Sequence, residues 1–182
     1  MENNQPQCIE MVENLEELKK KQDFRVSVGR SKWYYYDHYN PKFNLREVLD
    51  DEVVFELDCP FKWKEMTQEA QDSFREFSMK AINEIGIKLY KDGISFSIWE
   101  HGGKSPHLHV EDLPCVEIKD KKERKLWKEA FVKHYTPKEY LEFVDLSLCG
   151  IHLVALEFQF HWKGCYGVKK LMSEFNPKEK QK

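Results

Sequence analysis

Hydrophobic and polar positions follow two periodicities along the chain, one typical of helices and one typical of strands. Apolar residues recur at three- and four-residue spacing after Thr67, which predicts a long helix that Thr67 caps. The apolar stripe of that helix comprises Ala70, Phe74, Phe77, Ala81, Ile85 and Leu89. From Val53 to Asp58 the residues alternate instead, which predicts a strand with two chemically different faces. One face carries Val53, Phe55 and Leu57, and the other carries Val54, Glu56 and Asp58.

The remaining segments continue this mixture of helices and strands. Helices are predicted over residues 10–21 and 119–134, and a third is predicted from a Thr136 cap to about Val144. Strands, or strand with loop, are predicted over 24–39, 94–99, 107–110, 151–160 and 166–172, with turns at Asn40-Pro41 and Gly102-Gly103. Because strands and helices are interspersed, we expect an α+β fold around a mixed or antiparallel sheet.

The composition is that of a globular chain. Its 182 residues suit a single domain, and 41% hydrophobic residues suffice for a core. The net charge of −3 gives no support to a purely basic nucleic-acid binder. The five cysteines are scattered without a C-x-x-C pair, which argues against a zinc ribbon and a disulfide framework. Since the sequence shows no signal peptide and no apolar run of about 18 residues, we expect a cytoplasmic or nucleoid-associated protein with no membrane partner.

Two carboxylates lie two positions apart on the polar face of the predicted strand 53–58. The Cα atoms of Glu56 and Asp58 should be about 6.5–7 Å apart, which is twice the rise of a strand. Hard cations such as Mg²⁺ and Mn²⁺ take oxygen ligands, and two adjacent anions repel each other without a cation. The pair therefore indicates a metal site, although any solvent-facing strand can carry two such acids.

The segment after the Gly102-Gly103 turn carries groups that suit a phosphate. Glycines let backbone amides approach an anion closely, and Lys104, Ser105 and His107 add side-chain donors. A phosphate site therefore follows from the chemistry of these residues.

The same segment admits three other interpretations. His107 and His109 share one strand face and could bind zinc together with His101, but no further ligand is obvious nearby. A Ser–His hydrolase is weaker, because Ser105 lacks the nucleophile-elbow context. The last interpretation is a polar hairpin at the surface without a ligand.

Two later segments add charged groups. Asp145 lies between apolar neighbours near the end of a predicted helix. Further on, alternation places Gln159, His161 and Lys163 on one face of a predicted strand, opposite Phe158, Phe160 and Trp162. Taken alone, either segment equally suits an ordinary half-exposed element.

In this order the residues resemble the three motifs of the archaeal and eukaryotic primase superfamily. That superfamily includes replicative primase small subunits, primase-polymerases and the polymerase domains of bacterial end-joining ligases. Glu56-x-Asp58 resembles its two acids on a strand, and Ser105-x-His107 resembles its Ser-x-His strand. Asp145 resembles its later acid between hydrophobic residues.

The resemblance extends over roughly residues 25–172. His161-Trp162-Lys163-Gly164 resembles the family's His-x-Lys-Thr-Gly tail without the threonine, and Tyr34 to Tyr39 resembles an aromatic strand before the first motif. The chain departs from the family where an arginine is common, since Ala155 and its neighbours stand there. It also lacks the zinc stem between the second and third motifs, so it resembles a minimal version.

The resemblance implies one catalytic domain, with an RRM-like part flanked by helices. We expect an N-terminal helix or tail over 1–24, a catalytic core over 25–172 and a lysine-rich tail over 173–182. The implied activity is template-directed nucleotidyl transfer in DNA replication, as primer synthesis or extension, by a primase or polymerase. A non-catalytic primase-like subunit that binds nucleic acid and a metal-dependent phosphohydrolase remain alternatives.

The resemblance also assigns roles to individual residues. Two Mg²⁺ or Mn²⁺ ions, and no zinc, are expected on the three carboxylates, which are Glu56, Asp58 and Asp145. Nucleoside triphosphates are expected to contact Lys104, Ser105, His107, His161 and Lys163. A single-stranded DNA template is expected on Arg25, Arg30, Lys32, Trp33 and the Lys119–Lys128 helix. A primase large subunit or a helicase is the expected protein partner.

Overall fold

The structure is a computed structural model, and it describes residues 39–40, 45–100, 103–155 and 169–177. The predicted helix over 10–21 and almost all of the predicted strand over 24–39 lie outside these ranges. Within the described residues the chain folds into two antiparallel sheets with helices, so the predicted α+β class is confirmed.

The larger sheet has four strands in the order β3-β5-β4-β7. Their bounds are Val53–Phe55 for β3, Phe96–Glu100 for β4, His107–Val110 for β5 and Lys170–Phe175 for β7. The smaller sheet has the order β1-β2-β6, with β1 at Tyr39–Asn40, β2 at Leu45–Glu47 and β6 at Leu153–Ala155. All the pairings in both sheets are antiparallel.

One face of the larger sheet forms the main core, as the alternation in the sequence predicts. Val53, Phe55 and Leu57 are buried in one cluster with apolar residues of both helices. Val54 belongs to a different apolar cluster, which it forms with Val48, Leu148 and Val154. Since Val154 lies in β6, this second cluster joins the two sheets. On the face opposite the main core, the strand therefore carries apolar Val54 and, just past the end of β3, the polar side chain of Glu56.

Helix α1 spans Gln68–Lys91 and begins where the sequence predicts. The Ala70 amide donates to the Thr67 hydroxyl at 3.3 Å, so the predicted cap is confirmed. Its buried side includes Ala81, Ile85 and Leu89 of the predicted stripe. Within the described residues, no helix is both long enough and apolar enough to cross a bilayer.

Helix α2 spans Lys121–Tyr135, and its basic residues are less available than the sequence suggests. Arg124 and Lys128 are buried; Lys128 Nζ donates to the Leu49 carbonyl at 2.6 Å, and Arg124 pairs with Asp50. Burial lowers the pKa of Lys128. These two side chains therefore anchor α2 to the loop before β3, and only the other lysines of the helix remain for a nucleic acid.

The predicted helix from Thr136 to Val144 is wrong in type and start. Thr136 ends α2, and its hydroxyl donates to the Val132 carbonyl at 2.8 Å instead of capping a new helix. The following residues form a 3₁₀ helix over Lys138–Phe143. Thr136 followed by Pro137 is typical of a helix start. Here Thr136 ends α2 instead, because its hydroxyl bonds to the carbonyl four residues earlier.

Shorter 3₁₀ helices connect the remaining elements. They span Trp63–Glu65, Pro114–Glu117 and Leu146–Cys149. At the other end of the sequence, β7 reaches Phe175 and so continues past residue 172, where the sequence predicted the tail to begin.

Candidate metal and phosphate site

The three predicted metal carboxylates come together through a short stretch of antiparallel backbone pairing. The Asp58 amide donates to the Phe143 carbonyl at 2.7 Å, and the Asp145 amide donates to the Glu56 carbonyl at 3.0 Å. Leu57 and Val144 form the bridge between them. Because Leu57 and Val144 turn inward to the core, alternation directs Glu56, Asp58 and Asp145 to the opposite side.

The charge of Asp58 interacts with those of both other acids in this group. Its pKa is raised above the ordinary value by partial burial first, then by the neighbouring charges of Asp145 and Glu56. Lys104 and His152 act in the opposite direction and lower it. Since Asp58 stays accessible to solvent, it is open to a ligand while its neighbours disfavour its charge.

The Ser-x-His segment lies directly beside the acidic strand, because β5 pairs with β3. Phe55 is opposite Leu108, and His107 Nε2 lies 3.3 Å from Glu56 Oε2. The Ser105 hydroxyl oxygen accepts a hydrogen bond from the Leu57 amide at 3.2 Å and donates to the Pro106 carbonyl at 3.0 Å. Ser105 and His107 therefore both contact the strand of Glu56 and Asp58.

Arg75 of α1 contacts the turn that leads into this segment, and no pattern in the sequence predicts this contact. Its Nε donates to the Gly103 carbonyl at 3.0 Å, and its Nη1 lies 2.7 Å from Asp72 Oδ1. The guanidinium also lies over the Trp63 ring, 5.1 Å from the centroid. Three contacts fix the plane of the guanidinium, so the backbone of Gly103 has a defined position beside Lys104.

His152 is a second residue near the acids that sequence reasoning missed. Its charge lowers the pKa of Asp58, and its Nδ1 lies 3.4 Å from the Ser147 hydroxyl. Asp145 accepts a hydrogen bond from the Ser147 amide at 2.8 Å and so caps the 3₁₀ helix Leu146–Cys149. A single histidine in Gly150-Ile151-His152 carries no motif, so only the fold reveals its neighbours.

The alternative zinc site on His107 and His109 receives no geometric support. The imidazole of His107 contacts Glu56, whereas Nδ1 of His109 contacts Glu52 at 2.7 Å. The rings stack with centroids 6.0 Å apart, and their contacts lie on different carboxylates. His101 lies outside the described residues.

The predicted site residues divide into two groups. Six of them are brought to one side of β3, namely Glu56, Asp58, Lys104, Ser105, His107 and Asp145. The rest lie outside the described residues, namely Arg25, Arg30, Lys32, Trp33, His161 and Lys163. In comparisons with known proteins, no family model, no curated protein and no solved structure matches the chain.

Proposed function

We propose that the chain is a metal-dependent nucleotidyl transferase of the primase-polymerase type. The observation that carries the proposal is the Leu57–Val144 bridge, which joins Asp145 to Glu56 and Asp58 across a large sequence distance. Three carboxylates on one side of a strand, beside a lysine and a histidine, suit divalent cations bound to a polyphosphate.

The acidic group has the chemistry that a pair of hard cations requires. Glu56, Asp58 and Asp145 supply oxygen ligands. The pKa of Asp58 is raised by partial burial first and then by the charges of the other two acids, and a cation would neutralise those charges. When bound, two divalent ions supply charge stabilisation to the attacking and leaving oxygens of the transferred phosphate. Glu56 would have a further role, because its contact with His107 orients the imidazole next to the acidic group.

The turn before β5 would hold the triphosphate of the incoming nucleotide. Lys104 is near enough to Asp58 to affect its pKa, so a phosphate bound there would lie next to the metal ligands. Arg75 fixes the carbonyl of Gly103, which leaves the side chain of Lys104 as the cationic donor. For Ser105 to donate to a phosphate, its hydroxyl proton must turn away from the Pro106 carbonyl.

We extend the proposal to the fold and the partners. A four-stranded antiparallel sheet, with apolar contacts to helices on one face and the acids on the other, supports an RRM-like catalytic part. Nucleoside triphosphates and a single-stranded DNA template are the proposed substrates. A large subunit or a helicase is the proposed partner, in the cytoplasm or at the nucleoid.

Nucleotide incorporation by the purified chain tests this proposal. The assay contains a single-stranded template with or without a primer, labelled ribo- or deoxynucleotides, and Mn²⁺ or Mg²⁺. Asp145→Asn is the decisive variant, because Asp145 joins the other acids only through the fold. Glu76→Gln, which changes an exposed carboxylate on α1, is the matched control.

The outcomes separate the competing functions. Metal-dependent products that disappear in Asp145→Asn and persist in Glu76→Gln support nucleotidyl transfer, with a loss of at least about 100-fold for an essential group. Phosphate release without a template supports a phosphohydrolase instead. Binding of single strands without products in any condition supports a non-catalytic subunit, and each of the last two results contradicts the proposal.

A further inference from the structure

A second polar cluster lies on the same side of the sheet as the acids, next to the buried side chain of Val54. Val54 pairs with His109 across β3 and β5, and Val53 pairs with Val110. Glu52 and Glu111 immediately flank the Val53–Val110 pair. Glu52, His109 and Glu111 each present one ligand atom, and these three atoms lie within 4.8 Å of one another.

Two members of this cluster are withdrawn from solvent. Glu52 is 0% exposed and His109 is 1% exposed, whereas Glu111 is partly exposed. Nδ1 of His109 lies 2.7 Å from Oε1 of Glu52, and Oε2 of Glu52 accepts the Leu49 amide at 3.0 Å. Burying a carboxylate destabilises a protein unless the carboxylate is paired or binds a cation. Glu52 therefore requires a positive charge or hydrogen-bond donors close by.

We propose that Glu52, His109 and Glu111 form a second divalent-cation site, distinct from the site of Glu56, Asp58 and Asp145. One imidazole nitrogen and two carboxylate oxygens suit Mn²⁺, Fe²⁺ or Zn²⁺, whereas Mg²⁺ prefers oxygen alone. Bonds of about 2.1 Å to two atoms 2.7 Å apart meet at about 80°, close to an octahedral angle. Small shifts of Glu52 and Glu111 would therefore complete a set of three ligands.

The position of the Lys169 ammonium group determines whether the cation can bind to His109. Its Nζ lies 3.1 Å from Nε2 of His109 and donates to the Ala155 carbonyl at 2.8 Å. With Lys169 donating to Nε2, the ring proton is on Nδ1 and faces Glu52. A cation on the Nδ1 side moves that proton to Nε2, so the ammonium must turn from the ring to the carbonyl that it already contacts. Lys169 therefore competes with the cation.

The cation would stabilise the strand pair that supports the acids. The ring of His109 stacks on that of His107, with centroids 6.0 Å apart and planes inclined by 26°. His107 in turn contacts Glu56. A cation on His109 would thus fix β5 against β3 beneath the acidic group, without any contact with a nucleotide.

Cation counting in a background without the first site tests this inference. The background is the double variant Asp58→Asn and Asp145→Asn, so nucleotidyl transfer has no part in the readout. Binding of Mn²⁺ is counted by electron paramagnetic resonance and binding of Zn²⁺ by calorimetry. Mn²⁺ is included because thiolates of the five cysteines favour softer metals.

Three further substitutions in that background decide the result. Glu111→Gln should weaken binding at least about tenfold, as expected for loss of a ligand. Glu117→Gln, at an exposed carboxylate, should leave binding unchanged. Lys169→Met removes the competing ammonium and should tighten binding. If Glu111→Gln, shown to be folded by its thermal transition, binds both ions as well as Glu117→Gln does, or if the background binds neither ion, the assignment is wrong.

Discussion

The Leu57 amide donates a hydrogen bond to the hydroxyl oxygen of Ser105 at 3.2 Å, although the two residues lie 48 positions apart. This hydrogen bond connects the strand of Glu56 and Asp58 to the Ser-x-His segment. Ser105 is 4% exposed, so this hydrogen bond is shielded from water. The serine of this motif therefore has a structural partner whatever it does for a ligand.

Replacement of Ser105 by alanine should destabilise the protein, because the buried Leu57 amide would lose its acceptor. We expect a loss of about 1–3 kcal/mol in the free energy of unfolding, measured by urea denaturation. The control is Ser73→Ala on α1, where an exposed hydroxyl donates to the Glu69 carbonyl and alanine favours the helix. Equal stability of the two variants would mean that the Leu57–Ser105 bond contributes nothing.

Replacement of Arg75 by lysine should loosen the turn before β5. Lysine keeps the charge but lacks the planar group that contacts Gly103, Asp72 and Trp63 together. We expect faster amide hydrogen exchange over residues 103–108, measured by mass spectrometry. Lys80→Met, at an exposed position of the same helix, serves as control. Unchanged exchange in the Arg75 variant would show that the turn is held without the guanidinium.

Replacement of Asp58 by asparagine should stabilise the metal-free protein and reduce its response to Mn²⁺ to the part contributed by Glu52, His109 and Glu111. The pKa of Asp58 is raised, so the folded state favours its uncharged form, which asparagine imitates. The gain should be below about 1 kcal/mol, because the side chain is exposed. Differential scanning fluorimetry with and without Mn²⁺ measures both effects. A lower midpoint without metal would show that attraction to Lys104 and His152 outweighs repulsion by the other acids.

The thiol of Cys149 should react slowly with alkylating reagents. Burial first, and then the charge of Glu129, raise its pKa to about 11 from 9.0. Two pKa units correspond to about 100-fold less thiolate below pH 9, and the thiolate is the nucleophile. Iodoacetamide labelling followed by mass spectrometry at each cysteine tests this, with the partly exposed Cys59 as internal reference. Similar rates at Cys149 and Cys59 would contradict it.

The same pKa gives a direction for stability in alkaline solution. Because the folded-state pKa of Cys149 is raised, its contribution is complete below pH 9 and is lost as the pH rises towards 11. Lys128 acts oppositely: its lowered pKa makes the fold gain stability as the pH rises towards 10.5. Comparing Cys149→Ala with the parent protein between pH 8 and 11 isolates the thiol, since Lys128 is common to both. The stability difference between them should narrow over this interval, as measured by urea denaturation.

Local patterns were sufficient to predict the elements that carry the core. The period of β3 and the apolar stripe of α1 each depend on neighbouring residues, and the Thr67 cap depends on a contact over three positions. Thr136 shows the limit of such reasoning, because a threonine before a proline can start one helix or close another. Which one it does depends on the Val132 carbonyl that it reaches.

The candidate site was predictable only in part, because contacts between distant parts of the chain position some of its residues. Glu56, Asp58 and Ser105 lie in recognisable spacings, but Arg75 and His152 take their positions from contacts across the fold. The sequence presented His109 as a partner of His107 at one zinc site. The structure instead pairs it with Glu52, which lies outside the motif and 57 positions away.

The Leu57–Val144 bridge has a consequence for the order in which the protein folds. Pairing of segments so distant along the chain must overcome a large loss of conformational entropy before any contact compensates for it. We expect the helices and the β4–β5 hairpin to form early and the bridge to close late. During synthesis, the acidic group would thus stay separated until the segment with Asp145 has left the ribosome, so incomplete chains would be unable to assemble it.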